Sequence, residues 1–198
     1  MFDFDIVSIL VKLVAISMAI TIHEFGHAFS AHLLGDDTAK MHGRMTLNPA
    51  SHLDPLGIIM MFVFGIGWAR PVPVNPNNFK NYKVGNIITS FAGPFFNILL
   101  AIVCVIINKH VHMYSINLIA TWVMMYNVMF AAFNLLPIPP LDGWGIISSL
   151  IPYKYYESVY KYESMSNIIF LVIIITDVHV YFVSPIIDVI YKIIYMFS

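Results

Sequence analysis

Apolar residues run along this chain in five long stretches, and most of its charge lies between them. The first extends from about residue 4 to residue 34, with Lys12 the one charge between Ile6 and Ile22. About 20 apolar residues span a bilayer, so its end, HAFSAHLLGDD, is expected to emerge from the membrane. The second stretch, Pro55 to Ala69, has 15 residues with three glycines. It is too short to span and fits a re-entrant or interfacial element. The third, Ile87 to Ile107, and the fourth, Ile116 to Leu136, have 21 residues each and are long enough to cross. The fifth, from about Asn167 to Phe197, is expected to divide at Ser184-Pro185. Its first half is nearly long enough to cross. Its second half spaces Ile186, Ile187, Ile190, Ile193, Ile194 and Phe197 as an amphipathic helix does, with Asp188 and Lys192 four apart.

Breakers fill the intervening segments. RPVPVNPNN (70–78) is expected to be extended, because proline leaves ladders and pushes its predecessor out of the α region. PIPPLDG (137–143) stops the fourth stretch abruptly. No internal repeat or flexible linker appears, so a second soluble domain is not expected. The 198 residues are 59% hydrophobic and 11% charged, with mean hydropathy +0.79. Too little charge remains to coat a water-facing surface, and the chain is read as an integral membrane protein in contact with the lipid bilayer. A net charge of −1 argues against nucleic acid as a partner. The lone Cys104 excludes an internal disulfide and reads as a small buried hydrophobe. The N-terminus, MFDFD, is acidic where a signal peptide is positive, so the first stretch is read as a retained helix.

Basic residues orient the chain. Lys40, Arg44, Arg70, Lys80 and Lys83 flank the second stretch, and Lys154 and Lys161 follow the fourth. Lys109 falls on the other side with the acidic N-terminus. The positive-inside rule then places segments 35–86 and 137–164 in the cytoplasm. Trp68 and Trp144 fit an aromatic belt near the boundaries. Tyrosines 153, 155, 156, 160 and 162, beside Lys154 and Lys161, fit an interfacial surface.

Against this background HEFGH, residues 23–27, stands out. Ionisable groups inside a membrane are costly and belong by default to a functional site. Residues four apart on a helix share a face, so His23 and His27 point the same way. Two such imidazoles hold a zinc ion, and Glu24 is placed as general base for a metal-bound water. Zinc lowers the pKa of that water to about 7, which supplies a nucleophile for peptide hydrolysis. A third protein ligand is needed. His42, His52 and Asp54 lie in the following segment, Asp177 and His179 in the fifth stretch, and His110 and His112 on the outer side. Asp142 is favoured, since Pro137, Pro139 and Pro140 forbid further helix and Gly143 allows close backbone approach.

HEFGH on the first helix, GPFFN at Gly93 to Asn97, and NLLPIPPLDG at Asn134 to Gly143 occur in an order that resembles the site-2 protease family of intramembrane zinc metalloproteases. The segment from Asp54 to Phe79 is similar to the compact bacterial branch. The resemblance covers roughly residues 15 to 150. It implies an all-α polytopic membrane protein: a three-helix catalytic core within residues 1–150, a short re-entrant segment, and C-terminal helices in 151–198. It also implies one zinc ion per chain bound by His23, His27 and Asp142, with Glu24 as the base and the site inside the membrane toward the cytoplasm of a bacterial cell. Asn134 matches an asparagine that binds substrate or stabilises an oxyanion. Asn97 matches the asparagine of GPxxN, with a weaker positional role. Interhelical hydrogen bonding is the plain alternative for both asparagines. Asn97, Asn134 and Thr89 are candidates to line a water route to the metal. No PDZ or CBS module is visible, so selection of substrates falls to a regulatory membrane partner, to substrate length or to the core itself.

The reaction implied is hydrolysis of a peptide bond within or near a transmembrane segment of a protein or peptide substrate. A metal-ion transporter with intramembrane His and Asp ligands is the main alternative, but it gives Glu24 no specific duty. A catalytically dead chaperone for membrane helices would not need an intact HExxH.

Overall fold

In lipid every backbone polar group must be satisfied within the protein, so apolar spanning stretches become helices. The computed structural model describes residues 6–64, 68–176 and 179–197. The acidic N-terminus, Gly65, Gly67 and Asp177 lie outside the described residues. Among the described residues there are eight α-helices: α1 (Ile6–Leu33), α2 (Thr38–Met41), α3 (Pro55–Phe64), α4 (Tyr82–His110), α5 (Tyr114–Asn134), α6 (Asp142–Leu150), α7 (Tyr156–Ile175) and α8 (His179–Ile194). Four segments are long and apolar enough to cross a membrane, namely α1, α4, α5 and Val180–Phe197. The all-α membrane architecture expected from the hydropathy pattern is what is observed.

Helices α1, α4 and α5 pack against one another, and their shared core is built from small side chains. Ala15, Ala101, Ala120, Val123, Val128, Ala131 and Ala132 are all buried there. Small residues let backbones approach, which is how helices associate where lipid removes any hydrophobic drive. Helix α4 shows the resulting inversion of sides. Ile88, Phe91, Phe95, Leu99, Val103 and Ile106 form an exposed apolar stripe at spacings of three and four, while Thr89, Gly93, Asn97 and Ala101 face inward.

The second stretch behaves as its length requires. Helix α3 has ten residues, about 15 Å at 1.5 Å per residue, far short of a bilayer core. An isolated antiparallel bridge pairs Leu53 with Ala69, so the chain returns to the level from which it left. From there residues 70–75 run past the end of α1 with no helix or ladder of their own. The Arg44 guanidinium donates to the carbonyls of Arg70 (2.6 Å) and Pro71 (3.3 Å).

A buried carboxylate anchors the other end of this loop. Helix α1 stops at Gly35 (φ 104°), whose N–H bonds to His32 O while that of Asp36 reaches back to Ala31 O. This is the glycine-terminated cap that L side chains cannot make without strain. It turns Asp36, fully buried, toward the loop, where it accepts from the backbone N–H of Asn75 (2.7 Å), Asn78 Nδ2 (2.7 Å) and Thr38. Burial alone would raise the pKa of Asp36, but these hydrogen bonds outweigh it and hold the carboxyl below its usual value.

The fifth stretch departs from expectation. It is parted between Ile175 and His179, and Ser184-Pro185 lies inside α8. Pro185 removes one N–H, yet membrane helices tolerate this because neighbouring groups satisfy the freed backbone. The acceptor that Pro185 releases is Tyr181 O, one residue on from Val180 O, to which the Ser184 hydroxyl donates (2.8 Å). Of the apolar face expected on this segment, Ile186, Ile187, Ile190 and Ile194 pack on the bundle, joined by Val183, whereas Ile193 and Phe197 are exposed.

Candidate metal centre

Each component of the centre is placed by a different element. One turn separates His23 from His27 on α1, and both are buried. Their rings meet edge to face with centroids 4.6 Å apart, and Phe130 of α5 closes on His23 at 4.9 Å. Asp142 arrives from more than a hundred residues away. After α5 ends, the proline-rich turn reverses the chain and Asp142 opens α6. A Cβ at position 143 would lie 2.3 Å from Leu135 O and 2.4 Å from Leu136 O, so the turn closes this tightly only with glycine there. Asn86 of α4 then ties α6 down, donating to Ser149 Oγ (2.6 Å) and Gly145 O (3.3 Å).

The three donor atoms converge. His23 Nε2 and His27 Nε2 are 3.0 Å apart, and Asp142 Oδ2 is 3.1 Å from the first and 3.4 Å from the second. Protonation follows from the opposite edges of the rings. His27 Nδ1 lies 2.7 Å from the Thr89 carbonyl, which only accepts, so this nitrogen carries the proton. His23 Nδ1 lies 2.8 Å from Asn97 Oδ1. The amide of Asn97 is oriented by its nitrogen, which donates to Ala19 O (2.9 Å) and Asn127 Oδ1 (2.7 Å), so His23 Nδ1 is a donor too. A neutral imidazole has one N–H, and both Nε2 atoms therefore present lone pairs.

Two lone pairs and a carboxylate oxygen thus face one another, and Asp142 Oδ2 is buried without a hydrogen-bond donor. Three acceptors with no proton between them repel unless a cation joins them. Ligand atoms about 2.0 to 2.1 Å from a tetrahedral ion lie about 3.3 to 3.4 Å apart, close to the observed spacings. His23, His27 and Asp142 therefore fit a metal ion, zinc by donor type, and among the described residues they form the one such group.

Glu24 shares a cavity of about 310 Å³ with these residues. Its Oε2 accepts from the backbone N–H of Val72 at 2.8 Å, so the loop anchored by Asp36 and Arg44 also holds the glutamate. Pro71, Val72, Val74, Asn86, Thr89 and Asn134 are among the other walls.

The remaining expected residues are distributed as follows. Asn134 lines the cavity and donates to Phe130 O at 2.9 Å. Asn97 does not line the cavity. It is fully buried behind His23, and both N–H bonds of its amide are already given to protein acceptors. This removes it from the water route and leaves it no donor for a substrate oxygen. The other ligand candidates are engaged elsewhere: His42 with Thr38 O, His52 with Thr46 O, and Asp54 with the N–H of Gly57. His110 ends α4, far along the helix from Thr89 and Gly93 at the site. Thr89 lines the cavity as expected, but the part its carbonyl plays in orienting His27, and the contributions of Val72 and Asp36, are new. Thr89 and Val72 act through backbone groups, which no side-chain pattern announces.

Gly93 explains one element of GPFFN. A Cβ there would lie 2.5 Å from His27 Nε2 and 2.6 Å from His23 Cε1. Gly93→Ala is expected to displace the imidazoles and lower zinc affinity by roughly 10- to 100-fold, the range for changes that misorient ligands. Zinc titration of purified protein tests this, with circular dichroism to confirm retained helix; affinity equal to that of the parent would refute it.

No family model and no solved structure matches the chain. Among curated proteins it is 39% identical over 186 residues to "Putative zinc metalloprotease YwhC" of Bacillus subtilis (strain 168), an alignment covering 88% of this chain and 84% of that protein. It is 28% identical over 177 residues to "Putative zinc metalloprotease Rip2" of Mycolicibacterium smegmatis, covering 80% of this chain and 64% of the relative. For the Rip2 protein of Mycobacterium tuberculosis H37Rv the identity is 30% over 146 residues, with 66% and 53% covered. With most of both sequences aligned to YwhC, and with two helix-borne histidines and a distant aspartate meeting at one point, this chain belongs to the YwhC family of zinc metalloproteases.

Proposed function

We propose that the protein is a zinc-dependent intramembrane endopeptidase that hydrolyses peptide bonds within or near transmembrane segments of membrane-protein substrates. The observation that carries this reading is the meeting of His23, His27 and Asp142 beside Glu24, inside helices whose outer surface is apolar. One zinc ion per chain, held by these three residues, would supply Lewis acidity and a source of hydroxide near neutral pH.

The chain's own groups account for the rest. Glu24, anchored through Oε2 by Val72, takes the proton of the attacking water and returns it to the leaving amide nitrogen. Thr89 and Asn97 keep both imidazoles protonated on Nδ1. Asn134, on the cavity wall, has one amide N–H not given to Phe130 and is assigned to substrate contact. Thr89, Ser90, Asn86 and Asn134 give the cavity a polar side suited to water.

A substrate helix hides its carbonyls in its own hydrogen bonds and must unwind locally before attack. Pro71, Val72 and Val74 border the cavity, and the carbonyls of this segment with the Val74 N–H can support an unwound strand by edge pairing. Lys40, Arg44, Arg70, Lys80 and Lys83 lie in the segments at the metal-site end, which supports a cytoplasmic orientation of that end in a bacterial cell membrane.

The test is reconstitution in liposomes with a transmembrane peptide substrate. Cleavage is expected to stop when a chelator removes zinc and to resume when zinc is restored, with no zinc flux. Cleavage indifferent to chelation would overturn the reading, and flux without cleavage would establish a transporter.

A further inference from the structure

Asn127 lies on α5 among apolar neighbours, is fully buried, and touches neither the cavity nor the three converging donor atoms. Such a side chain is expensive in lipid unless its hydrogen-bonding groups have specific work. Its Nδ2 donates to Val123 O at 2.8 Å, one turn back on the same helix. That bond turns its oxygen outward from α5 toward α4, where it accepts from Asn97 Nδ2 at 2.7 Å. The chain of bonds continues from Asn97 Oδ1 to His23 Nδ1. Polarity runs one way throughout: His23 N–H to Asn97 oxygen, Asn97 N–H to Asn127 oxygen, Asn127 N–H to the helix backbone.

We infer that Asn127 is a positioning residue for the metal centre, fixing the orientation of the Asn97 amide and through it the tautomer and ring plane of His23. An amide can turn over, exchanging oxygen and nitrogen with little change of shape. A turned Asn97 would present N–H groups to His23 Nδ1, which would then have to accept and carry its proton on Nε2. That would place a hydrogen where a ligand lone pair is required. Ala19 O opposes the turn from α1, and Asn127 opposes it from α5. Two acceptors on two helices hold the amide more firmly than one, and they tie the state of His23 to the docking of α5.

This inference rests on the reading of His23 as a metal ligand. Its test is a double-mutant cycle on purified full-length protein, measuring zinc affinity by competition with a chromophoric chelator. A bound cobalt probe reports ligand geometry through its visible spectrum. Asn127→Leu keeps side-chain volume and removes the acceptor; it is expected to weaken zinc binding by about 3- to 30-fold, somewhat less than direct loss of a ligand's partner. Asn127→Asp retains an acceptor facing Asn97 and is expected to bind as the parent does. In an Asn97→Ala background the Asn127→Leu change should have no further effect, because residues in one network are not additive. If Asn127→Leu does not assemble, Asn127→Ser, too short to reach Asn97, takes its place in the cycle.

Parental affinity in the Leu or Ser variant, or effects that add across the cycle, overturn the inference while leaving the metal site intact. Absence of zinc binding in the parent protein overturns the metal reading itself. A purely structural role for Asn127 would lower thermal stability without moving the cobalt spectrum or discriminating Asp from Leu.

Discussion

Glu24→Gln is expected to abolish detectable peptide hydrolysis while leaving zinc content unchanged. Glutamine matches glutamate in shape and still offers an oxygen to the Val72 N–H, so the loop contact at 2.8 Å is preserved. It lacks the basicity to take a proton from water. General-base catalysis contributes about 100- to 10,000-fold, and the loss belongs in turnover and not in substrate affinity. Single-turnover cleavage of a transmembrane peptide measures the rate, and metal analysis of the same preparation measures occupancy. A Gln variant that cleaves at the parental rate would remove Glu24 from the chemistry. A variant that loses zinc as well would show that its role is structural.

Asp142→Ala should produce the complementary failure, with zinc lost while the bundle persists. Structural zinc sites bind with about 10 to 16 kcal/mol; shared among four ligands, this is about 3 kcal/mol for each, or roughly 100-fold in affinity. Removal of Asp142 also leaves two imidazole lone pairs 3.0 Å apart with no carboxylate beside them. The main contacts among α1, α4 and α5 do not involve Asp142, so helical content and detergent-solubilised assembly are expected to survive. Zinc titration decides the matter. Affinity within a few-fold of the parent would mean that the third ligand lies elsewhere. Together the two variants separate chemistry from metal holding, since one should retain zinc without turnover and the other should lose both.

The two outcomes depend on features that were unequally visible in the chain. HEFGH announces itself because four-residue spacing puts both imidazoles on one helical face whatever the fold around them. Three of the spanning elements, α1, α4 and α5, were equally plain, since length and apolarity alone meet the demand of the bilayer, whereas Val180–Phe197 crosses the point where the sequence was expected to divide. Breakers were less reliable. The prolines at 137, 139 and 140 end a helix as expected, whereas Pro185 sits inside one, because packing on the bundle through Val183, Ile190 and Ile194 offsets the lost hydrogen bond. The asparagines were the least legible. Asn97 and Asn134 carry the same amide, yet one is walled in behind His23 and the other borders the cavity. Asn127 could have been noticed as a polar residue in an apolar helix, but its partner could not.

The sequence by itself determined the membrane class, the helices α1, α4 and α5, and the shared face of His23 and His27 on the first of them, because periodicity, length and residue type act locally. Tertiary structure alone decided that Asp142 meets both imidazoles, that a backbone N–H of the proline-rich loop holds Glu24, and that two asparagines and a threonine carbonyl set the protonation of the histidines. Those relations join groups tens of residues apart, several through the backbone. They exist only once α1, α4, α5 and α6 have packed closely enough for small residues such as Gly93 and Gly143 to admit their neighbours.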